Sequence, residues 1–384
     1  VASAFGHQGQ KCSAASLGIL VGRVADDDRF LRQVVDAARS LRPGPAHDPA
    51  TVLAPLVGPP TGKLLDALTV LAPGEQWLLE PRCLDPLTDG EGNGGEGSGG
   101  PGRHWTPGIK IGVRPGSSFH RTEVFGPVLG LMAVADLDEA IEVQNAVDYG
   151  LTGGIHSLDP TEIDRWLDAV EVGNAYVNRG ITGAIVQRQP FGGWKRSSVG
   201  VGAKAGGPDY LLQLGTWAST GGLGEMDVVG IEASDAEWWG THYGIDRDPA
   251  ALFCEANVHR YRSHPDLIIR IGPGATPAEV DRVLVAAARC GVEPRVSRAC
   301  DEDDASFAGS LSAHRFGRIR AVGFVSETVR RAAATAEVDV VDEAVTASGR
   351  LELRHHLREQ SVSRTLHRFG NLVAAQQTTK TTVV

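Results

Sequence analysis

The sequence predicts an α/β protein made of two domains. A chain of 384 residues is long enough to bury more than one core. Its content of 42% hydrophobic and 22% charged residues is that of an ordinary globular protein. Between residues 267 and 325, segments with strand character alternate with helical segments, which predicts βαβ units and a parallel sheet.

Charge and hydropathy exclude two classes of partner. The formal net charge is −10 and no block of Lys and Arg is dense enough to neutralise a run of phosphates, so we expect no nucleic-acid partner. A nucleotide cofactor is compatible with this charge. No apolar run reaches the ~18 residues of a membrane span and no signal segment begins the chain, so we expect a cytoplasmic protein.

The cysteines indicate neither a disulfide framework nor a zinc site. They are scattered, odd in number and without C-x-x-C spacing, which is typical of a protein from a reducing compartment. Their positions are Cys12, Cys83, Cys254, Cys290 and Cys300.

Cys12 is the strongest candidate for a catalytic residue. A glycine-rich approach precedes it, and we expect the small residues that follow to begin a helix. The positive end of a helix dipole and the charge of Lys11 would favour the thiolate, which is the nucleophilic form of cysteine. The alternative is a small buried hydrophobic residue in a tight turn.

The segments after Cys12 predict alternating strands and helices. The first helix has acidic residues at its start, an apolar face and Arg39 at its end. A later helix has Asp159 as its N-cap, Pro160 in its first position and Glu162 three residues after the cap. Strands are predicted over 17–21, 76–79, 109–114 and 175–178, and helices over 26–40, 64–71, 138–145 and 160–172.

Residues 89–102 are rich in glycine and predict a flexible loop. No strand leads into this segment and no helix follows it, so it does not fit a phosphate-binding loop.

A boundary is predicted after residue 208. The sequence Gly206-Gly207-Pro208 breaks the chain, and residues 209–217 predict a strand at a domain edge. Such an edge is a template for pairing with another chain. Residues 218–224 read as a linker.

The region beyond the linker predicts a second α/β domain. Its predicted strands cover 267–271, 292–297 and 319–325, and its predicted helices cover 277–290 and 350–360. The turn Gly272-Pro273-Gly274 between a strand and a helix is only a weak dinucleotide signal, because the third glycine is missing. A capping box formed by Thr276 and Glu279 accounts for the turn.

Three histidines near the C-terminus do not predict a metal site. His355 and His356 are adjacent and point to different sides of the predicted helix, and no carboxylate or cysteine spacing completes a site with His367. We expect all three to be solvated.

Three motifs resemble those of the NAD-dependent aldehyde dehydrogenases. They are Gly-Gln-Lys-Cys-Ser at 9–13, Glu-Val-Phe-Gly-Pro at 123–127 and Pro-Phe-Gly-Gly at 190–193. The longer segments 4–16 and 182–193 resemble the branch that oxidises L-glutamate γ-semialdehyde, the 1-pyrroline-5-carboxylate dehydrogenases. Within this branch, the chain is similar to the dehydrogenase half of the bifunctional proline-utilisation flavoproteins.

The resemblance implies a fold and a division of the chain. Residues 1–208 are expected to form an N-terminally truncated aldehyde dehydrogenase catalytic domain. Residues 225–384 are expected to form a smaller, Rossmann-like α/β module, which has no second Gly-Gln-x-Cys motif and is therefore expected to be non-catalytic. Residues 209–224 would supply the oligomerisation strand and linker, since this strand helps build the family's oligomer. We therefore expect a homo-oligomer.

The resemblance also implies which residues bind NAD. Glu123 is expected to hold the ribose hydroxyls on the nicotinamide side, and Phe125 to pack near the nicotinamide. A carboxylate that accepts hydrogen bonds from two vicinal hydroxyls suits this role.

On the substrate side, the resemblance assigns four residues. The backbone of Gly183 and Ala184 is expected to receive the substrate's carboxylate, and the Ser13 hydroxyl to add a contact. Phe191 is expected to pack on the aliphatic stem of the substrate. Some family members have Ser where this chain has Ala184, so one side-chain contact is absent here.

The implied reaction is the oxidation of L-glutamate γ-semialdehyde to L-glutamate in proline catabolism. The Cys12 thiolate attacks the aldehyde, its backbone N–H helps hold the oxyanion, hydride passes to NAD, and water hydrolyses the thioester. In the family the general base, the oxyanion side chain and the adenine site precede the cysteine. We therefore expect a separate N-terminal NAD-binding half, a possible proline dehydrogenase domain with FAD before it, and no activity in the isolated chain.

Two other classes of function stay open at this stage. The chain is compatible with a non-catalytic assembly fragment, in which residues 209–217 and the C-terminal module make quaternary contacts and Cys12 is unreactive. A cysteine hydrolase is the second alternative, with His7 as the one nearby histidine that could activate Cys12.

Overall fold

A computed structural model describes residues 1–85, 102–200, 202, 204–217, 228–368 and 371–372. The predicted glycine-rich loop, except for Gly102, and the predicted linker at 218–224 lie outside these residues. The chain divides into two compact units. The first unit comprises Val1–Asp148, Thr152–Glu171 and Asn178–Gly183, and the second comprises Tyr149–Leu151, Val172–Val177 and the described residues of Ala184–Val384.

Helices and strands alternate along both units. The helices are α1 Ala2–Phe5, α2 Asp28–Arg39, α3 Gly62–Thr69, α4 Ser118–Arg121, α5 Leu137–Asn145, α6 Pro160–Ala169, α7 Val228–Trp238, α8 Pro277–Arg289, α9 Asp304–Ser310, α10 Glu327–Ala336 and α11 Gly349–Glu352. The strands are β1 Leu17–Val21, β2 Gln76–Leu79, β3 Gly108–Ile111, β4 Val128–Val134, β5 Tyr149–Gly150, β6 Thr152–Ile155, β7 Asn174–Val177, β8 Trp194–Lys195, β9 Glu255–Ser263, β10 Leu267–Ile271, β11 Arg295–Arg298, β12 Arg318–Val322, β13 Asp339–Val341, β14 Leu357–Thr365, β15 His367–Arg368 and β16 Asn371–Leu372.

The first unit is built on a sheet of strand order β1-β4-β3-β2. Strand β4 is parallel to both β1 and β3, whereas β2 is antiparallel to β3. Successive residues of β4 face opposite sides of the sheet. Leu129 and Leu131 pack with Phe5, and Val128 and Met132 lie in a second apolar cluster. Because both faces of β4 are covered, its sequence is almost continuously apolar.

Acidic residues cap the starts of α2 and α6, and the cap at Asp159 confirms the one predicted from the sequence. The carboxylate of Asp27 accepts hydrogen bonds from the backbone N–H groups of Arg29 and Phe30 at the start of α2. Asp159 caps α6 through the N–H of Thr161, with Pro160 in the first helical position. A cap carboxylate satisfies donors that have no partner within the helix, which is why these residue types indicate helix starts.

The parallel sheet predicted for the second unit is confirmed. Its strand order is β11-β10-β12-β13, and every neighbouring pair is parallel. Ile269 of β10 packs with Val283 of α8, while Ile268 faces the other side and packs with Val329 of α10. Helices therefore cover both faces of the sheet, as βαβ connections require.

The glycine turn after β10 serves close packing of two loops. Thr276 and Glu279 form the predicted capping box at the start of α8. A Cβ atom on Gly272 would lie 2.0 Å from the carbonyl oxygen of Phe324, in the loop that follows β12. The loops at the carboxyl ends of β10 and β12 thus meet backbone to backbone, and this contact requires glycine at position 272.

The predicted helix over 350–360 is wrong in its second half. Helix α11 continues as a 3₁₀ turn over Leu353–His356, and β14 begins at Leu357. Strand β14 lies between β7, to which it is parallel, and β9, to which it is antiparallel. Strand partners far away in sequence, such as Ser263 opposite Leu357, therefore override the local preference for helix.

This strand also changes the predicted division of the chain. Strand β7 belongs by sequence to the predicted catalytic domain, yet it shares a sheet with β14, which was assigned to a separate module. Both strands lie in the second unit, so the boundary between the compact units does not fall near residue 208.

The strand predicted over 209–217 is also wrong, because the segment forms a 3₁₀ helix over Tyr210–Gln213. The Asp209 carboxylate accepts a 2.5 Å hydrogen bond from the Tyr261 hydroxyl and lies 3.3 Å from Nε2 of His242. Trp217 donates from its indole nitrogen to the Leu212 carbonyl. These contacts fold the segment onto itself and onto other residues of the second unit, so residues 209–217 present no edge strand for another chain.

The adjacent histidines near the C-terminus are buried, contrary to the prediction. His355 is 4% exposed and His356 is 0% exposed, whereas His367 is exposed as predicted. Burial lowers the pKa of both buried imidazoles, because the charged form loses its hydration. Within the described ranges, no group of His, Cys, Asp and Glu could hold a metal ion, and no helix is long and apolar enough to cross a membrane.

Candidate active site

Cys12 lies in an exposed turn between the short α1 and β1. The predicted helix after Cys12 is wrong: residues 14–16 belong to neither a helix nor a strand and lead directly into β1. Before the turn, three successive residues, His7, Gln8 and Gly9, have φ angles of 53°, 58° and 65°. Left-handed conformations at two non-glycine residues are costly, which is typical of a segment held in shape by its surroundings.

The surroundings of this segment include the second motif. A Cβ atom on Gly9 would lie 2.2 Å from the carbonyl oxygen of Gly126. The buried Gln8 side chain donates to the Trp105 carbonyl, and Gln10 accepts from the N–H of Val57. The first unit therefore brings the Cys12 turn and the Glu123–Pro127 turn into backbone contact.

Glu123 and Phe125 are both exposed on that second turn. Partial burial around the carboxyl group raises the pKa of Glu123 although much of the side chain is exposed, and the charge of Lys63 opposes this shift. Phe125 has a φ of 57°, which is rare for an aromatic residue. Val124, between them, is buried in the core and anchors the turn.

The start of the predicted aldehyde loop also lies in the first unit. Ser3 of α1 accepts at its carbonyl from Ala15 N–H and at its hydroxyl from Ile181 N–H, with distances of 2.9 and 3.0 Å. It thus joins the segment after Cys12 to the segment before Gly183. Gly183 has a φ of 82° in open space. The Ser13 side chain is buried, and its carbonyl accepts from the Thr152 hydroxyl.

The rest of the aldehyde loop lies in the second unit. Ala184 is exposed, whereas Phe191 is partly buried and forms a two-way backbone bridge with Ala205 at 3.0 and 2.9 Å. Gln189 is buried, accepts from the N–H of Ile185 and donates to Asn257 of β9. The loop is therefore anchored on both sides of its exposed part.

Sequence reasoning missed three residues that hold this loop, Gln189, Asn174 and Lys204. Each is a polar side chain that is no more than 2% exposed and bonds to backbone or side chains around Phe191. Asn174 lies one residue before the strand predicted over 175–178, and Lys204 lies two residues before the predicted chain break at Gly206. The only available signal was a lysine isolated among small residues.

Comparisons with known proteins agree with the motifs. The model of the aldehyde dehydrogenase family matches residues 1–216. The 1-pyrroline-5-carboxylate dehydrogenase of Geobacillus sp. (strain WCH70) is 38% identical over 213 residues, which are 55% of this chain and 38% of that protein. The protein of the same name from Bacillus subtilis (strain 168) is 35% identical over 212 residues.

One solved structure is similar over nearly the whole chain. Proline utilization A from Corynebacterium freiburgense is 46% identical with a TM-score of 0.83, and the match covers 97% of this chain and 37% of that one. The chain therefore spans about two fifths of the length of the proteins it matches. Since the family model covers more than half of its residues, the chain belongs to the aldehyde dehydrogenase family.

Proposed function

We propose that this chain supplies the nucleophile and the aldehyde-binding loop of an NAD-dependent L-glutamate γ-semialdehyde dehydrogenase, as part of a longer protein of proline catabolism. The observation that carries the proposal is the backbone contact between Gly9 and Gly126. It sets the turn of the proposed nucleophile against the turn of the proposed cofactor residues. The names of the similar proteins support the choice of substrate.

The proposed chemistry begins at the exposed Cys12 thiol. Its thiolate attacks the aldehyde carbon and forms a thiohemiacetal, whose oxyanion accepts from the Cys12 backbone N–H. Loss of hydride from this carbon leaves a thioester, and water releases the carboxylate product. An exposed sulfur on a turn with fixed backbone is suited to this role, because the substrate can reach it without unfolding the core.

The exposed residues of the second turn fit a nicotinamide cofactor. The Glu123 carboxylate faces solvent and can accept from both vicinal hydroxyls of a ribose, while the exposed ring of Phe125 offers an apolar face beside it. NAD, when bound, supplies the hydride acceptor.

On the substrate side, the proposal uses the backbone of Gly183 and Ala184 and the ring of Phe191. Gly183 is exposed, has a positive φ and has no atom within 4 Å of a potential Cβ, so the backbone at this position is open to a ligand. Ser13 is proposed to add its hydroxyl. We further propose that the protein is a cytoplasmic homo-oligomer and that an N-terminal NAD-binding half, with a proline dehydrogenase domain and FAD before it, completes the longer protein.

The decisive experiment measures NAD reduction by the longer protein with L-glutamate γ-semialdehyde. Cys12→Ala should lower kcat by at least about a thousandfold, since a covalent nucleophile is lost. Cys254→Ala, which removes another exposed thiol, is the matched control and should leave the rate unchanged. Residual turnover above about a thousandth in a folded Cys12→Ala protein would refute the nucleophile.

The same preparation separates the alternatives. A Cys12 thiol that does not react with a small alkylating reagent in the folded wild type would favour an assembly fragment. Release of an acid from an ester or amide without NAD reduction would favour a cysteine hydrolase.

A further inference from the structure

Lys204 is a buried lysine for which the proposed chemistry has no direct use. It is 2% exposed, and its Nζ lies 2.5 Å from the Gly173 carbonyl, 2.5 Å from the Gly192 carbonyl and 2.9 Å from Oδ1 of Asn174. An ammonium group has three N–H donors for these three acceptors, whereas a neutral amine has two. All three acceptors therefore receive a hydrogen bond only when the Lys204 amine is protonated.

The acceptors of Lys204 are connected to the backbone around Phe191. Asn174 donates from Nδ2 to the Pro190 carbonyl at 3.1 Å and accepts at Oδ1 from the Gly192 N–H at 3.2 Å. Lys204 itself holds the Gly192 carbonyl. Phe191 bonds in both directions to Ala205, the neighbour of Lys204 in sequence. Lys204 and Asn174 thus hold the residues on either side of Phe191.

We propose that Lys204, in its ammonium form, is a positioning residue for the aldehyde substrate: it fixes the backbone that sets the place of the Phe191 ring. This inference rests on the proposed function, in which Phe191 packs on the substrate's aliphatic stem. Lys204 touches neither substrate nor cofactor, and acts through Gly192 and Asn174.

The electrostatic surroundings make this arrangement sensitive to pH. Burial lowers the pKa of Lys204 to about 7, and the charge of Glu359 on β14 opposes the shift. Burial likewise raises the pKa of Glu359 to about 8, with Asp209 acting in the same direction and Lys204 against it. His259 on β9 also faces this group, and burial lowers its pKa to about 4, so it is neutral near pH 7.

The sign of the pH effect follows from the charged form. A lysine with a lowered pKa is protonated below that pKa and neutral above it. The hydrogen bonds to Gly173, Gly192 and Asn174 are therefore complete at pH 6 and one donor short at pH 9. The KM for the aldehyde should rise with pH, and the KM for NAD should not.

The first test compares Lys204→Met with Lys110→Met in the longer protein. Lys110 is the matched control, because it is another buried lysine, 3.0 Å from Glu75 in the first unit. Lys204→Met should raise the aldehyde KM about tenfold or more at pH 6, since buried carbonyls lose their donor, and leave the NAD KM within about twofold. Lys110→Met should leave the aldehyde KM within about twofold of the wild-type value. As the pH approaches 9, the aldehyde KM of the wild type should approach that of Lys204→Met.

A second variant tests the proposal if Lys204→Met does not fold. Asn174→Asp keeps the Oδ1 acceptor but loses the Nδ2 donor to the Pro190 carbonyl, so its aldehyde KM should be higher at every pH. The negative charge that it adds beside Nζ should shift the pH at which this KM rises upward by about one unit or more. The substrate ionises identically in assays of the wild type and of Asn174→Asp, so a difference between their pH profiles must come from the protein. An unshifted profile, or a folded Lys204→Met with wild-type aldehyde KM, would overturn the role of Lys204. A wild type that does not oxidise the semialdehyde would instead overturn the proposed function, and this inference with it.

Discussion

The turns of the proposed active site and the buried charge pairs of the second unit are held by different physical means. In the first unit, the turns of the proposed active site meet through bare backbone, at Gly9 and Gly126. In the second unit, charged side chains are buried in pairs: Arg320 meets Glu352 and Arg282 meets Asp235, each through two short hydrogen bonds. Close backbone contacts demand glycine at fixed places and so appear as sequence motifs. Buried charge pairs join residues far apart in sequence and leave no motif.

Breaking a buried pair should have the largest effect on stability. Arg320 and Glu352 are both 0% exposed, so Arg320→Met leaves a buried carboxylate without its cation. The free energy of unfolding should fall by about 3–5 kcal/mol, measured by urea denaturation. The double variant with Glu352→Leu should recover much of this loss. Arg331→Met, in an exposed pair with Glu327, is the control and should change stability by about 1 kcal/mol at most. A single variant as stable as this control would contradict the comparison.

Acid should weaken the second unit through its buried histidines. Burial lowers the pKa of His264 and His355 well below their usual range. Below about pH 6.5 the unfolded chain binds protons that the folded chain does not, so stability falls as pH falls. Each group should contribute up to about 1.4 kcal/mol per pH unit. His264→Asn should reduce the slope of unfolding free energy between pH 6.5 and 5, whereas exposed His47→Asn should not. An identical slope in both variants would argue against this origin.

A side chain at Gly9 should separate the two turns of the first unit. Gly9 has a φ of 65°, and an alanine Cβ there would lie 2.2 Å from the Gly126 carbonyl oxygen. Gly9→Ala should cost about 2–3 kcal/mol of unfolding free energy and lower kcat of the longer protein. Gly6→Ala is the matched control three residues away, because no atom lies within 4 Å of its potential Cβ. Equal effects from both substitutions would show that the contact is unimportant.

The smallest expected effects separate the proposed cofactor and substrate residues. Glu123→Gln should raise the KM for NAD about tenfold, because a charge-assisted acceptor is lost, and leave the aldehyde KM nearly unchanged. Phe191→Ala should do the reverse. Steady-state kinetics of the longer protein, with NAD and the aldehyde varied in turn, measure the two KM values separately. If both variants raise the same KM, the two sites have been misplaced.

Local patterns predicted much of the fold. The predictions that are confirmed include strand β1, the Asp159 cap and the capping box of Thr276 and Glu279. Each depends on residues that are close together in sequence. The parallel sheet of the second unit is confirmed for the same reason, since buried apolar strands and amphipathic helices carry their own periodicity.

The errors occur where distant residues decide the local structure. The small residues after Cys12 favour a helix, but the contact of Gly9 with Gly126 precedes them and the ladder of β1 with β4 begins at Leu17, and between these two contacts no helix forms. Residues 357–360 favour a helix, but pairing with β9 makes them a strand. Similarly, Lys204 could be recognised as part of the candidate site only from its three acceptors, which lie at least a dozen positions away in sequence.

The place of β14 bears on how the protein is made. Gln360 of β14 donates to the carbonyl of Val172, which precedes it by 188 positions. Synthesis must therefore continue for well over a hundred residues beyond β7 before β14, its neighbour in that sheet, exists. Until then, β7 and the loop around Phe191 lack their contacts with β14, and the exposed edge of β7 can mispair or bind chaperones. Premature termination between Gly193 and Leu357 would leave all three family motifs in the product and still deprive the loop around Phe191 of its contact with β14.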